Sequence, residues 1–181
     1  SGGGVAAGSL GVPDLGITTM AEPGTGLVAG GGDLVKEMKM MAPVLDRDDT
    51  PFRTYLFPSA YASSKHVKDA DKLVAYVDSL STLGSQRLKV LPKKIKFLYD
   101  GSYVDQLGIY DAPGYIDGHE GLRIDPPALF DDMIVRFWEA GYGIHVHVQG
   151  DGGTRKTIDT LAALQERKPR FDHRFVMEHM G

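Results

Sequence analysis

The stretch Gly143-Ile144-His145-Val146-His147-Val148-Gln149-Gly150-Asp151 constrains this chain more than any other. Apolar and nitrogen-bearing side chains alternate through it, which predicts a short strand, because residues two apart on a strand share a face. His145, His147 and Gln149 then point one way, and Ile144, Val146 and Val148 the other. A glycine turn follows, and helix-like segments lie on both sides, so the stretch reads as one βα unit. The apolar face must meet helices. The histidine face must meet something that uses nitrogen ligands or proton carriers.

The flanking sequence repeats the same alternation of elements. Val5 to Leu15 has weak helical character, and Ile17-Thr18-Thr19-Met20 is a strand closed by a loop at Glu22-Pro23-Gly24. Asp33 is placed to cap a helix running to about Leu45. Phe52 to Phe57 reads as a strand, and Asp69 to Leu83 as a helix with Leu73, Val74, Val77 and Leu80 on its apolar stripe. Lys94 to Gly101 is a further strand, with Ile95, Phe97 and Tyr99 facing away from Lys96, Leu98 and Asp100. Ser102 to Ile124 is a long loop rich in Gly, Asp and Tyr, a type usually functional. A helix opens at Pro126-Pro127 and runs to Ala140, another spans Thr154 to Arg167, and His173 to His179 is the last strand. Strands alternating with helices predict an α/β protein with a parallel sheet in one domain, 1–181. That order fits a doubly wound sheet or part of a (β/α)8 barrel.

Composition narrows the function classes. Acidic residues outnumber basic ones, 24 to 20, so nothing electrostatic calls for nucleic acid or an anionic membrane. The absence of cysteine excludes disulfides, thiolate catalysis and Cys-ligated zinc. No apolar run reaches the roughly 20 residues of a bilayer span, and Ser1-Gly2-Gly3-Gly4 is no signal peptide. A cytoplasmic setting is the expectation.

Lys96, His147 and His179 each fall at or near the C-terminal end of a predicted strand, on three consecutive strands. Parallel α/β folds bind ligands at that edge. Two neutral imidazoles with one oxygen ligand suit zinc or a related divalent ion. A free ammonium does not, so Lys96 joins such a set only if it is modified. Gly150-Asp151-Gly152-Gly153 before a helix could also cradle phosphate, although Asp151 argues against an anion. His66 and His119, in polar loops, are expected to face solvent.

The sequence resembles the amidohydrolase superfamily, in particular its branch of predicted amidases that includes N-substituted formamide deformylases. The resemblance rests on Gly16-Ile17-Thr18-Thr19, on Lys96-Phe97-Leu98-Tyr99-Asp100-Gly101-Ser102, on His147-Val148-Gln149-Gly150-Asp151, and on His173-Arg174 with Glu178-His179. It implies a (β/α)8 barrel and one or two divalent metal ions, zinc foremost, activating a water. It makes Lys96 a lysine carboxylated by CO2, and His147 and His179 the imidazole ligands. His145, Asp100, Asp151 and Arg174 would support those ligands or face substrate, with Asp151 and Arg174 bonding the turn and the neighbouring strand.

The family pattern also has a His-x-His pair on its first strand and an aspartate on its eighth, which serves as proton shuttle. Neither is found here, so the chain is expected to be the middle of a barrel, strands two to six, with its catalytic proton carrier unknown. The expected activity is hydrolysis of a non-peptide C–N bond in a small amide or formamide. Open barrel edges would favour homo-oligomers. The alternative is a non-catalytic α/β domain that binds a small molecule or a partner.

Overall fold

The computed structural model describes residues 16–27 and 32–180, in two compact units, Ser1–Pro92 and Lys93–Gly181. The helix expected over Val5 to Leu15 lies outside the described residues. Each unit carries a three-stranded parallel sheet, with helices between the strands. The α/β class with parallel strands is therefore observed. Six strands are described where five were expected.

In the first unit the sheet order is β1 (Thr19–Thr25), β2 (Arg53–Pro58), β3 (Leu88–Val90). β1 runs through Glu22-Pro23-Gly24, where a loop was expected. It is a sheet-edge strand, where proline is tolerated, and its register slips between Pro23 and Thr25. β3 went unpredicted because three residues carry no readable period. α1 (Leu34–Leu45) starts where Asp33 predicts, with the Asp33 carboxylate accepting from the Lys36 amide at 3.1 Å. α2 (Ala60–His66), unpredicted, is capped by Ser59 Oγ, and α3 (Ala70–Leu80) by Asp69. Leu34, Met38 and Leu45 of α1 pack on Phe52, Leu56, Leu80, Leu88 and Val90 to form this unit's core. His66 ends α2, solvent-exposed as expected, with Nε2 2.7 Å from the Gly32 carbonyl.

The second unit orders β4 (Lys94–Leu98), β5 (Gly143–His147) and β6 (Val176–Glu178). Lys96 is the register partner of His145, and His147 that of both Leu98 and Glu178. Alternation then sorts the faces as expected. Ile95, Phe97, Ile144 and Val146 are fully buried, as are Phe130, Ile134, Phe137 and Trp138. Phe97 meets Phe130 and Phe137 edge-on, at 5.8 and 6.0 Å between ring centres. The helix opened by Pro126-Pro127 begins as a π-helical segment, Ala128–Met133, and only then becomes α4 (Ile134–Glu139). Nothing in the hydrophobic pattern signals that change.

α5 (Asp151–Arg167) starts three residues before the expected Thr154 and takes in two glycines of low helix propensity. Packing explains them. A Cβ on Gly153 would collide with the Asp100 carboxylate, and one on Gly152 would press on the Ile109 carbonyl at 3.0 Å. No described helix is long and apolar enough to cross a membrane.

Candidate metal centre

The polar face of the second sheet carries Lys94 and Lys96 on β4, His145 and His147 on β5, and Glu178 on β6. Lys96 is 3% exposed, and a buried ammonium requires a counter-charge. Glu178 supplies it, with Oε2 ion-paired to the Lys96 Nζ. The other carboxylate oxygen lies 2.7 Å from His145 Nδ1, and His145 Nε2 lies 3.4 Å from Lys94 Nζ. Burial, then Lys94 and Lys96, hold the His145 imidazolium down to a pKa of about 4. The ring is neutral at pH 7, so Nδ1–H donates to Glu178 and Nε2 accepts from Lys94. Burial with two nearby ammoniums outweighs the pull of one shared carboxylate.

His147 and His179 meet above this network, their ring centres 4.8 Å apart and their planes at 55°. His179 follows the last residue of β6 and has φ of 64°, in the left-handed region. That turn lets Glu178 and His179, adjacent in sequence, serve one rim, where plain strand alternation would send them to opposite faces. Both imidazoles titrate below the usual histidine range. Burial is the main cause for each, followed by the Lys96 charge. Neutral imidazoles are the form that binds metal. Zinc–nitrogen bonds of roughly 2.0–2.1 Å put two rings on one ion with centres about 5 Å apart, close to the separation of this pair.

The structure thus brings Lys96, His147 and His179 to one face, with the Lys96 ammonium held by Glu178. Among the described residues, no three His, Asp or Glu side chains are gathered as a ready ligand set. An oxygen ligand from Lys96 requires carboxylation of its amine, and Glu178 must then release it.

Asp100 and Asp151 have other neighbours. Asp100, fully buried, accepts from the amides of Gln149, Gly150 and Ile109 at 2.8–2.9 Å, tying β4 to the β5–α5 turn and the long loop. Asp151 accepts from its neighbour Gly152 and from Asp111 of that loop, so it bonds the turn and a loop where a neighbouring strand was expected. These contacts occupy the amides of the glycine turn, and Gly153 donates to the Ile109 carbonyl. A phosphate cradle is overturned, because the donors it would use are taken. Arg174 is exposed with φ of 49°, and its charge, after burial, lowers the Lys94 ammonium.

Two residues of this region were not foreseen. Glu178 had a signal, since a lysine on the polar face of a buried strand demands an acid, and β6 contains one. Asp125 had none. Its Oδ2 accepts from the Leu98 amide at 2.8 Å, while Oδ1 is buried without a partner. Burial raises its carboxyl to about 7.

A cleft of about 710 Å³ is lined by Tyr103, Tyr110, Gln149, Asp151, Thr154 and Met180. Gln149 lies two residues after His147, and Met180 directly follows His179. His119, expected in solvent, keeps 34% of its side chain exposed in the loop, with Nδ1 2.5 Å from Asp117 and Nε2 2.8 Å from the Gln106 carbonyl.

No protein-family model matches this chain, and no curated protein matches it. Solved structures of similar fold include an uncharacterized metal-dependent hydrolase from Pyrococcus furiosus, with a TM-score of 0.60 and 17% identity over 88% of this chain and 30% of that one. Another is an uncharacterized metal-dependent hydrolase from Pyrococcus horikoshii, with a TM-score of 0.52 and 15% identity over 88% of this chain and 28% of that one. The chain spans under a third of the length of each. At such identity the likeness is one of backbone, and site residues must be argued from their own geometry. The fold is one that metal-dependent hydrolases use.

Proposed function

We propose that this chain is part of a metal-dependent hydrolase of the amidohydrolase kind, built on a (β/α)8 barrel and cleaving a C–N bond of a small amide or formamide. The observation that carries this reading is the pair of neutral imidazoles, His147 and His179, 4.8 Å apart on the face that bears Lys96. His147, His179 and a carboxylated Lys96 would hold a divalent ion, zinc by preference. The chemistry such an ion supplies when held there is acidification of water and polarisation of a carbonyl.

The chain's own residues prepare that chemistry. Burial and the Lys96 charge keep both imidazoles neutral and ready to ligate. Glu178 holds Lys96 at the rim, and the Nδ1–H of His145 steadies Glu178. Asp100 fixes the turn that follows His147 by accepting from the Gln149 and Gly150 amides. The cleft lined by Tyr103, Tyr110 and Met180 offers room for a small substrate.

Metal content of protein purified without chelator is the test. Stoichiometric zinc, lost in His147→Ala and in His179→Ala, supports the reading. A folded protein that takes up no divalent ion in either form overturns it and leaves the non-catalytic binding domain.

A further inference from the structure

The long loop between β4 and the π-helical segment divides into an anchored base and a tip that leans on it. The base is tied to the β5–α5 turn and to α5. The Ile109 amide donates to Asp100, the Gly153 amide to the Ile109 carbonyl and the Asp111 amide to Asp151, while the Asp111 carboxylate pairs with Arg155. The tip, residues 112–122, folds back onto the base. The Leu122 amide donates to the Leu107 carbonyl at 2.9 Å, Tyr115 meets Tyr110 edge-on, and His119 meets the Gln106 carbonyl. Ile116, at the end of the tip, is fully exposed.

The His119 contacts fix its protonation state. Nδ1 lies 2.5 Å from Asp117 Oδ1, and Nε2 lies 2.8 Å from the Gln106 carbonyl oxygen. The His119 contact holds the Asp117 carboxyl below its ordinary range, so it is ionised at pH 7. A carboxylate and a carbonyl can only accept, so both ring nitrogens must donate. Neutral imidazole has one N–H, and the two bonds therefore coexist only on the imidazolium. The ring also stacks on Tyr115, with centres 4.1 Å apart and planes at 14°, and a cation on a phenol face is favoured. The Gln106 carbonyl, then the Asp117 carboxylate, raises the His119 pKa above the usual 6.5. Asp117 and the Tyr115 phenol are the titratable groups that face the ring. Asp105 and Glu120, beside Gln106 and His119 in sequence, are exposed.

We propose that His119 is a protonation-dependent clasp, which as imidazolium ties the tip of this loop to its base and on losing a proton releases it. Tyr110, which the tip buttresses through Tyr115, lines the cleft, so one cleft wall loosens with the tip. The clasp's contribution is complete below about pH 6.5 and is lost as pH rises through the raised pKa of the folded chain. The clasp needs no bound metal.

Histidine NMR and amide hydrogen exchange on the metal-free protein test it. Spectra of the ring nitrogens between about pH 5.5 and 9 should show two N–H groups on His119 at the acid end. Its titration midpoint should lie above 6.5 and move down in Asp117→Asn. Over the same range, after correction for the intrinsic rate, exchange of the Gly118 and Leu122 amides should quicken about two- to fivefold, the scale of an exposed charged contact. The Ile109 amide, held by Asp100, should keep its protection and serves as the fixed reference. His119→Phe keeps a ring on Tyr115 without a donor, so its tip amides should exchange fast at every pH. Asp117→Asn carries the test should His119→Phe fail to fold. A His119 midpoint at or below 6.5, tip protection that ignores pH, or an Ile109 amide that loosens in step with the tip would each overturn the proposal.

Discussion

The ammonium of Lys96 and the carboxylate of Glu178 are paired from the two outer strands of one sheet, across β5 between them. Their side chains are 4% and 13% exposed, so each charge depends on the other for lost hydration. Glu178→Leu should therefore cost about 3–5 kcal/mol, by stranding a buried ammonium. Lys96→Met with Glu178→Leu should recover most of that loss, since an apolar pair strands nothing. Urea unfolding of both single variants and the double variant measures the difference. A double variant no more stable than Glu178→Leu alone would refute the pairing as the cause.

How far this network was legible in the sequence follows from the range of each interaction. The caps at Asp33 and Asp69 act over three residues, and both were readable. The face carrying Lys96, His145 and His147 followed from strand alternation alone. Glu178 serves Lys96 from 82 positions away, and only the fold makes them neighbours. β1 continues through Pro23 because it is an edge strand, a property of sheet order that no local pattern carries. Asp125 is set by burial against the Leu98 amide, equally non-local.

Two glycines separate steric cause from backbone cause. Gly150 has an ordinary φ of −74°, but a Cβ there would strike the backbone carbonyl of Ile109. Gly141 has φ of 84° and open space around its Cβ position. Gly141→Ala should cost about 1 kcal/mol, the strain of a left-handed alanine. Gly150→Ala should cost more, about 2–4 kcal/mol, because overpacking here must displace main chain. Thermal unfolding of the two variants ranks them, and the reverse order would refute the account.

Divalent metal should stabilise the protein through His147 and His179 and not through His145. At zinc about 100-fold above its dissociation constant, linkage gives about 2.7 kcal/mol, readable as a rise in Tm. His147→Ala and His179→Ala should abolish the rise. His145→Asn should lower the metal-free Tm, through weaker contacts to Glu178 and Lys94, and still show the rise. Loss of the zinc response in His145→Asn would place His145 among the ligands.

Asp125 gives a pH dependence with a defined sign. Its carboxyl titrates at about 7 in the folded chain, because burial raises it from 3.8. Between those values the unfolded chain has released the proton and the folded chain retains it. Stability therefore falls as pH rises from about 4 to 7, and this contribution is flat above that. A shift of this size corresponds to a few kcal/mol at most. Asp125→Asn keeps an oxygen for the Leu98 amide and carries no charge, so it should remove this component of the decline. The expected result is a variant about as stable as the parent at pH 4 and more stable by about 1–3 kcal/mol at pH 8. Urea midpoints across that range check it. Parallel profiles for the two proteins would show that Asp125 is ionised at neutral pH despite its burial.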